Sequence, residues 1–157
     1  MGDLVSNQFI AAVKNLITNA QASAVRAVNS QRVLLYWNIG KHIVEEEQNG
    51  EERAAYGTHL IKILSRELTK DFGSGFSERQ LETFRQFYFA FPIPHTVRAE
   101  LNWSQYRLLI RINDPDKQTY YIEEACKNNW SARQLERQIK SQLYERLLLS
   151  NEKEKVL

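Results

Sequence analysis

Apolar residues recur at intervals of three and four over nearly the whole chain, a period that suits helices and leaves no room for a half-buried sheet. Phe9, Val13, Leu16, Ile17 and Ala20 fall at i, i+4, i+7, i+8 and i+11. After Asn29-Ser30 a second stripe follows, with Val33, Tyr36, Trp37, Gly40, Ile43 and Val44. One long helix can carry both stripes, kinked or rephased near Asn29-Ser30. Gly40 lies on the stripe, where glycine costs a helix about 1 kcal/mol against alanine. A close helix–helix contact would be a reason to keep it. No segment alternates as a strand does, so the expected fold class is all-α.

Breakers and caps divide the rest. Asn49-Gly50 ends the first helix, and the acidic segment EEEQNGEER reads as a solvated turn. The pattern predicts a helix over 58–72, with Leu60, Ile61, Leu64, Leu68 and Phe72 inward, stopped by Gly73-Ser74-Gly75. Ser77 and Gln80 form a capping box that opens a helix over 77–91. Leu81, Phe84, Phe87, Tyr88 and Phe91 face in; Arg79, Glu82, Thr83 and Gln86 face out. Pro92 and Pro94 stop it. Ser104 is the expected cap of a short helix in QYRLLIRI, and Asp114-Pro115 opens the next, which Asn128-Asn129 ends. Ser131 and Gln134 form a second capping box. Leu135, Ile139, Leu143 and Leu147 then make a spacing-four stripe along a final helix, ahead of the polar NEKEKVL.

Composition narrows the function. The 157 residues fit one domain with an appended arm, and 43% hydrophobic content supports a packed core. A net charge of +2 is mildly basic, well short of what announces a nucleic-acid binder. The single cysteine, Cys126, excludes an intramolecular disulfide and any multi-cysteine zinc site, and reads as a small buried residue. His42, His59 and His95 stand singly, with no His or Cys three or four residues away, so neither a metal site nor a cofactor is predicted. The chain carries no G-x-S-x-G, P-loop or G-x-G-x-x-G motif. No apolar run approaches the roughly 20 residues of a membrane span, and no signal-peptide pattern is present. The expectation is a soluble cytoplasmic chain without membrane contact.

Two helices joined by a tight glycine turn follow helix-turn-helix grammar. The second would present Arg79, Gln80, Thr83 and Gln86 to DNA, arginine and glutamine being suited to guanine and adenine edges. A second basic row, Arg133, Arg137 and Lys140, lies opposite the leucine stripe and suits phosphates. Against this, any amphipathic helix has a polar face, and Glu78, Glu82 and Glu136 sit among the basic residues. The N-terminal arm carries more apolar surface than a short domain needs. It could pair with a second copy, giving a homo-oligomer.

Five signatures occur in order: YWNIG, GFSERQL, RQFY, LNWSQYRLL and NNWSARQLERQI. Through them the chain from about Val33 to Ile139 resembles the N-terminal domain of the YhcG family of bacterial proteins. The resemblance implies a helical domain often supposed to bind DNA, set ahead of a metal-dependent nuclease domain of the PD-(D/E)XK type. No PD…(D/E)XK run occurs in this sequence, so the resemblance carries no catalytic residue onto it. It implies a non-catalytic module; taken with the apolar stripes, the expected organisation is a helical arm over 1–30, a domain over 31–148, and a polar tail or linker over 149–157. Gln105 stands where the family usually has His, which argues against acid–base chemistry there. Phe84 replaces a usual Met, a core swap. Arg85 and Arg107 are charges within apolar signatures. For both, pairing with a carboxylate such as Glu123 or Glu124 and binding of phosphate remain open.

Overall fold

The computed structural model describes residues 7–49 and 54–156, and within them every regular element is helical. In chain order these are α1 (Asn7–Asn49), α2 (Ala54–Phe72), α3 (Glu78–Ala90), α4 (Trp103–Ile110), α5 (Pro115–Asn128), α6 (Ala132–Lys140) and α7 (Leu143–Val156), with a single 3-10 turn at Pro94–Thr96. The all-α fold is as the periodicity requires.

α1 runs without a break through Asn29-Ser30 and at 1.5 Å per residue is about 65 Å long. Its two halves live in different surroundings. Val33, Trp37, Ile43 and Val44 are buried, whereas residues 7–28 are exposed throughout. The expected close approach is present at Gly40. A Cβ built there would stand 2.0 Å from the carbonyl oxygen of Phe84, so only glycine lets α1 lie against the backbone of α3.

α3 is the centre of the core. Leu81, Phe84 and Phe87 have no exposed surface. Tyr36 of α1 stacks on Phe84 at 4.2 Å between ring centroids, while Phe87 meets Trp103 and Tyr106 of α4 at 5.5 and 4.9 Å. Rings of this size bury about 150–250 Å² each and dominate the packing energy. Trp37 Nε1 donates to the Phe91 carbonyl at 2.7 Å, closing the α1–α3 seam at its far end. Tyr121, Ile122 and Ala125 of α5 and Leu135 of α6 complete the core.

α2 and α3 are joined by a turn in which Gly73 (φ 78°) and Gly75 (φ 112°) adopt the left-handed conformation that side-chain-bearing residues resist. Ser77 Oγ accepts from the Gln80 amide, and Ser65 Oγ ties α2 to the Phe76 carbonyl at 2.8 Å. The helix pair and its turn stand where the sequence puts them. α3 packs mainly on α1, however, and α2 covers it less.

Several local expectations need correction, among them Phe72, expected inward but 69% exposed. α2 begins at Ala54, four residues before Thr58. α4 is capped by Asn102 rather than Ser104: Asn102 Oδ1 accepts from the Gln105 amide, and Gln105 Oε1 accepts from the Asn102 amide. The final leucine stripe does not lie on one helix. Gln142 at φ 57° separates α6 from α7, and the stripe turns inward only through Leu135, Ile139 and Leu143, Leu147 being 44% exposed. Tyr121 Oη braces this corner, donating to the Gln138 carbonyl and accepting from the Tyr144 amide. The segment expected as a polar tail or linker is helical through Val156.

Candidate nucleic-acid interface

Burial of Leu81, Phe84 and Phe87 fixes the rotation of α3 and turns Arg79, Gln80, Thr83 and Gln86 outward together. On α4, burial of Tyr106, Leu109 and Ile110 does the same for Arg107 and Arg111, one turn apart. The two outward faces meet. Arg79, Gln80, Thr83, Gln86, Arg107 and Arg111 line one hollow of about 510 Å³, with Ser77, Glu82 and Ile110 completing the wall. Thr83 is pinned by a hydrogen bond from its hydroxyl to the Arg79 carbonyl at 3.0 Å.

The charges in this hollow are unequal in availability. Among the described residues no carboxylate lies within ion-pair distance of Arg79, Arg107 or Arg111. Glu82, the acidic member, already accepts from Arg85 Nη1 at 3.2 Å. Arg85 is itself spent on Glu47 of α1, to whose two carboxylate oxygens Nε donates at 2.8 and 3.0 Å. It also lies 5.0 Å from the Phe89 ring. The carboxylate partner of Arg85 is therefore Glu47 with Glu82, not Glu123 or Glu124. Glu123 holds Arg98 at 2.9 Å, and Glu124 accepts from Asn128. Arg107 has neither as partner and stands exposed in the hollow.

The second row is only partly gathered. Lys140 and Glu136 line an adjoining hollow of about 490 Å³ that also includes Arg111, so Arg111 stands on the ridge between the two. Lys140 is paired with Glu136 at 2.7 Å. The hydrogen bond from Lys140 and then the Arg111 charge hold the Glu136 carboxyl below its ordinary range. Arg133 and Arg137 are exposed on α6 and line neither hollow. Sequence reasoning missed Arg111. Its only signal was the four-residue spacing from Arg107, which places both on one helical face.

The remaining chemistry-bearing residues are structural or dispersed. Gln105 is buried, and its Nε2 donates to the Trp130 carbonyl at 2.6 Å, locking α4 to the α5–α6 loop. Cys126 is half-buried rather than buried, and burial pushes its thiol up despite the opposing charge of Arg98. Among the described residues no three His, Cys, Asp or Glu side chains gather as a metal site would need. The segment expected as a solvated acidic turn is in part helical: Glu45, Glu46 and Glu47 belong to α1, Glu45 pairs with Lys41 at 3.8 Å and Glu47 with Arg85, while Glu51, Glu52 and Arg53 lie outside the described residues. No described helix is long and apolar enough to cross a membrane.

The DUF1016 N-terminal domain family matches residues 12–146 of the chain. A protein of Escherichia coli (strain K12) named "Putative nuclease YhcG" is 37% identical over 91% of this chain and 47% of its own length. The chain thus spans about half the length of the curated relative it matches. No solved structure matches. On the extent of the family match the chain belongs to the DUF1016 N-terminal domain family.

Proposed function

We propose that this member of the DUF1016 N-terminal domain family is a non-catalytic DNA-binding module that places a nuclease on its substrate in the bacterial cytoplasm. One observation carries the reading: three arginines without ion pairs, Arg79, Arg107 and Arg111, share a hollow with the amides of Gln80 and Gln86 and the hydroxyl of Thr83. Arginine forks suit phosphate and guanine, and glutamine amides suit adenine. In this reading α3, entered from the glycine turn as in a helix-turn-helix, faces the groove of a duplex, while Arg107 and Arg111 hold phosphates beside it. Arg133, Arg137 and Lys140 extend the contact along α6, with Lys140 weakened by Glu136. The relative's name, with its reference to a nuclease, supports the choice of DNA as polyanion.

The test is fluorescence anisotropy of a labelled duplex at two salt concentrations. The log of the binding constant falls with the log of salt by about 0.9 per phosphate contacted. Arg107→Ala and Arg111→Ala should each weaken binding and flatten that slope by about 0.9. Arg98→Ala should leave it unchanged, because Glu100 and Glu123 already occupy that guanidinium and it lines neither hollow. Absence of a signal at low salt overturns the reading.

A second reading is favoured by a separate observation. Residues 7–28 of α1 carry Ile10, Val13, Leu16, Ile17, Val25 and Val28 into solvent, 39% to 70% exposed. In this reading the chain is an assembly module, and the arm joins it to a second copy.

A further inference from the structure

The side of α1 that faces α2 does not stop where α2 stops. Leu35, Ile39 and His42 line an apolar groove of about 620 Å³, whose opposite wall is Leu60, Leu64 and Leu68 of α2. At 100° per residue the same helical side continues toward the N-terminus through Gln31, Val28, Ala24, Gln21, Ile17, Val13 and Ile10. All of these are exposed. A lone helix with an uncovered apolar stripe gains little stability in water, since most helical stability comes from packing such a stripe. The stripe requires a cover along its whole length.

The order of residues says what the cover is. From Ile10 to His42 the stripe is symmetric about Arg26, as helical geometry makes any such stripe, so what the sequence adds is which residues then meet. A second α1 laid antiparallel about a two-fold axis near Arg26 therefore sets Ile10 opposite His42, Val13 opposite Ile39, Ile17 opposite Leu35 and Ala24 opposite Val28. It also sets Gln21 opposite Gln31, so the polar members of the stripe face each other. A polar pair within an apolar seam fixes register. Arg26 itself lies on the other side of the helix, away from the axis.

We propose that two copies of this chain pair through antiparallel α1 helices, the arm of each seated in the α1–α2 groove of the other. This deepens the assembly reading and rests on it. The interface is isologous and closed, as a two-fold requires. The paired stretch is about 50 Å long and about 10 Å across. Its two ends also engage α2, which brings the buried surface toward the roughly 800 Å² per partner of a stable complex.

Light scattering on the 157-residue chain should return twice the single-chain mass. Ile17→Glu places a charge in the seam but touches no core residue. It should return the single mass, with helical signal lost by no more than the share of residues 7–28 and the unfolding midpoint of the domain unchanged. In a Cys126→Ala background, chains carrying Ile17→Cys and chains carrying Leu35→Cys should cross-link to one another on oxidation, and neither should cross-link to itself. A single-chain mass at every concentration overturns self-assembly altogether. A doubled mass with Ile17→Cys chains linked to each other overturns the antiparallel arrangement and leaves the assembly reading standing.

Discussion

Gly40→Ala separates a packing role for this glycine from an accidental one. In an ordinary exposed helix the change stabilises by about 1 kcal/mol, through backbone entropy. Here the new Cβ would stand 2.0 Å from the Phe84 carbonyl oxygen, against the 3.4 Å at which ordinary contact begins. The obstacle is main chain, so no side chain can rotate away, and α1 must retreat from α3 by roughly 1.4 Å, the difference of those distances. A gap of about 0.5–1 Å already forfeits a quarter to a half of the dispersion energy across a contact. The seam that opens holds the Tyr36–Phe84 stack and the Trp37–Phe91 hydrogen bond. Overpacking of this kind costs about 1–3 kcal/mol, and a rigid obstacle puts it at the upper end. After the helical gain the net loss is about 2 kcal/mol, or roughly 8 °C in Tm for a domain of this size. Urea unfolding should show a lower midpoint with an unchanged slope. Adding Phe84→Leu should bring no rescue, since the clash is with the carbonyl and not the ring. A Gly40→Ala chain as stable as the parent, or more so, would refute the close approach.

Arg85→Ala should cost about 1–2 kcal/mol, less than a fully buried pair because the guanidinium is partly exposed, and a double-mutant cycle with Glu47→Gln should return a coupling of about 1 kcal/mol. Gln105→Ala removes the bond to Trp130 and half of the α4 capping box, and should lower stability by about 2 kcal/mol in urea unfolding. Burial raises the Tyr106 hydroxyl to about 12, above the unfolded value of about 10. A raised folded value means its contribution, on the order of 2–3 kcal/mol, is whole below about pH 10 and lost as pH climbs toward about 12. Alkaline titration followed by tyrosinate absorbance should show a late group ionising near pH 12, and Tyr106→Phe should remove it.

The legible parts of this fold are those written in local chemistry. Gly73 and Gly75, Ser77, Asp114-Pro115 and Ser131 mark helix ends through caps and backbone conformations that act within a few residues. Gly40 was legible because glycine on an apolar stripe contradicts helix propensity and so asks for a reason. What escaped depended on distance. The partner of Arg85 lies 38 residues away on α1, and nothing near RQFY points to Glu47. Gln142 resembles any helical residue, and only its left-handed backbone reveals the break between α6 and α7. At the candidate interface α3 supplied all its members from one helical face. Arg111 was missed because the convergence of α3 with α4 is a tertiary fact.

That convergence also changes what the small net charge means. A chain-wide +2 counts Arg85 and Lys140 as cations and Glu47, Glu82 and Glu136 as anions, although these groups are largely spent on one another. What a polyanion would meet is local: Arg79, Arg107 and Arg111, with Glu82 already engaged. The salt dependence measures how far this local field extends. If the hollow alone grips phosphate, Arg107 and Arg111 give a slope of about −1.8. If Arg133, Arg137 and Lys140 share the same duplex, five contacts give about −4.5. Because Glu136 must release Lys140 before that residue can contribute, Glu136→Gln should steepen the slope only in the second case. A steep slope that survives loss of Arg107 and Arg111 together would place the contact on α6 and remove the hollow from the account.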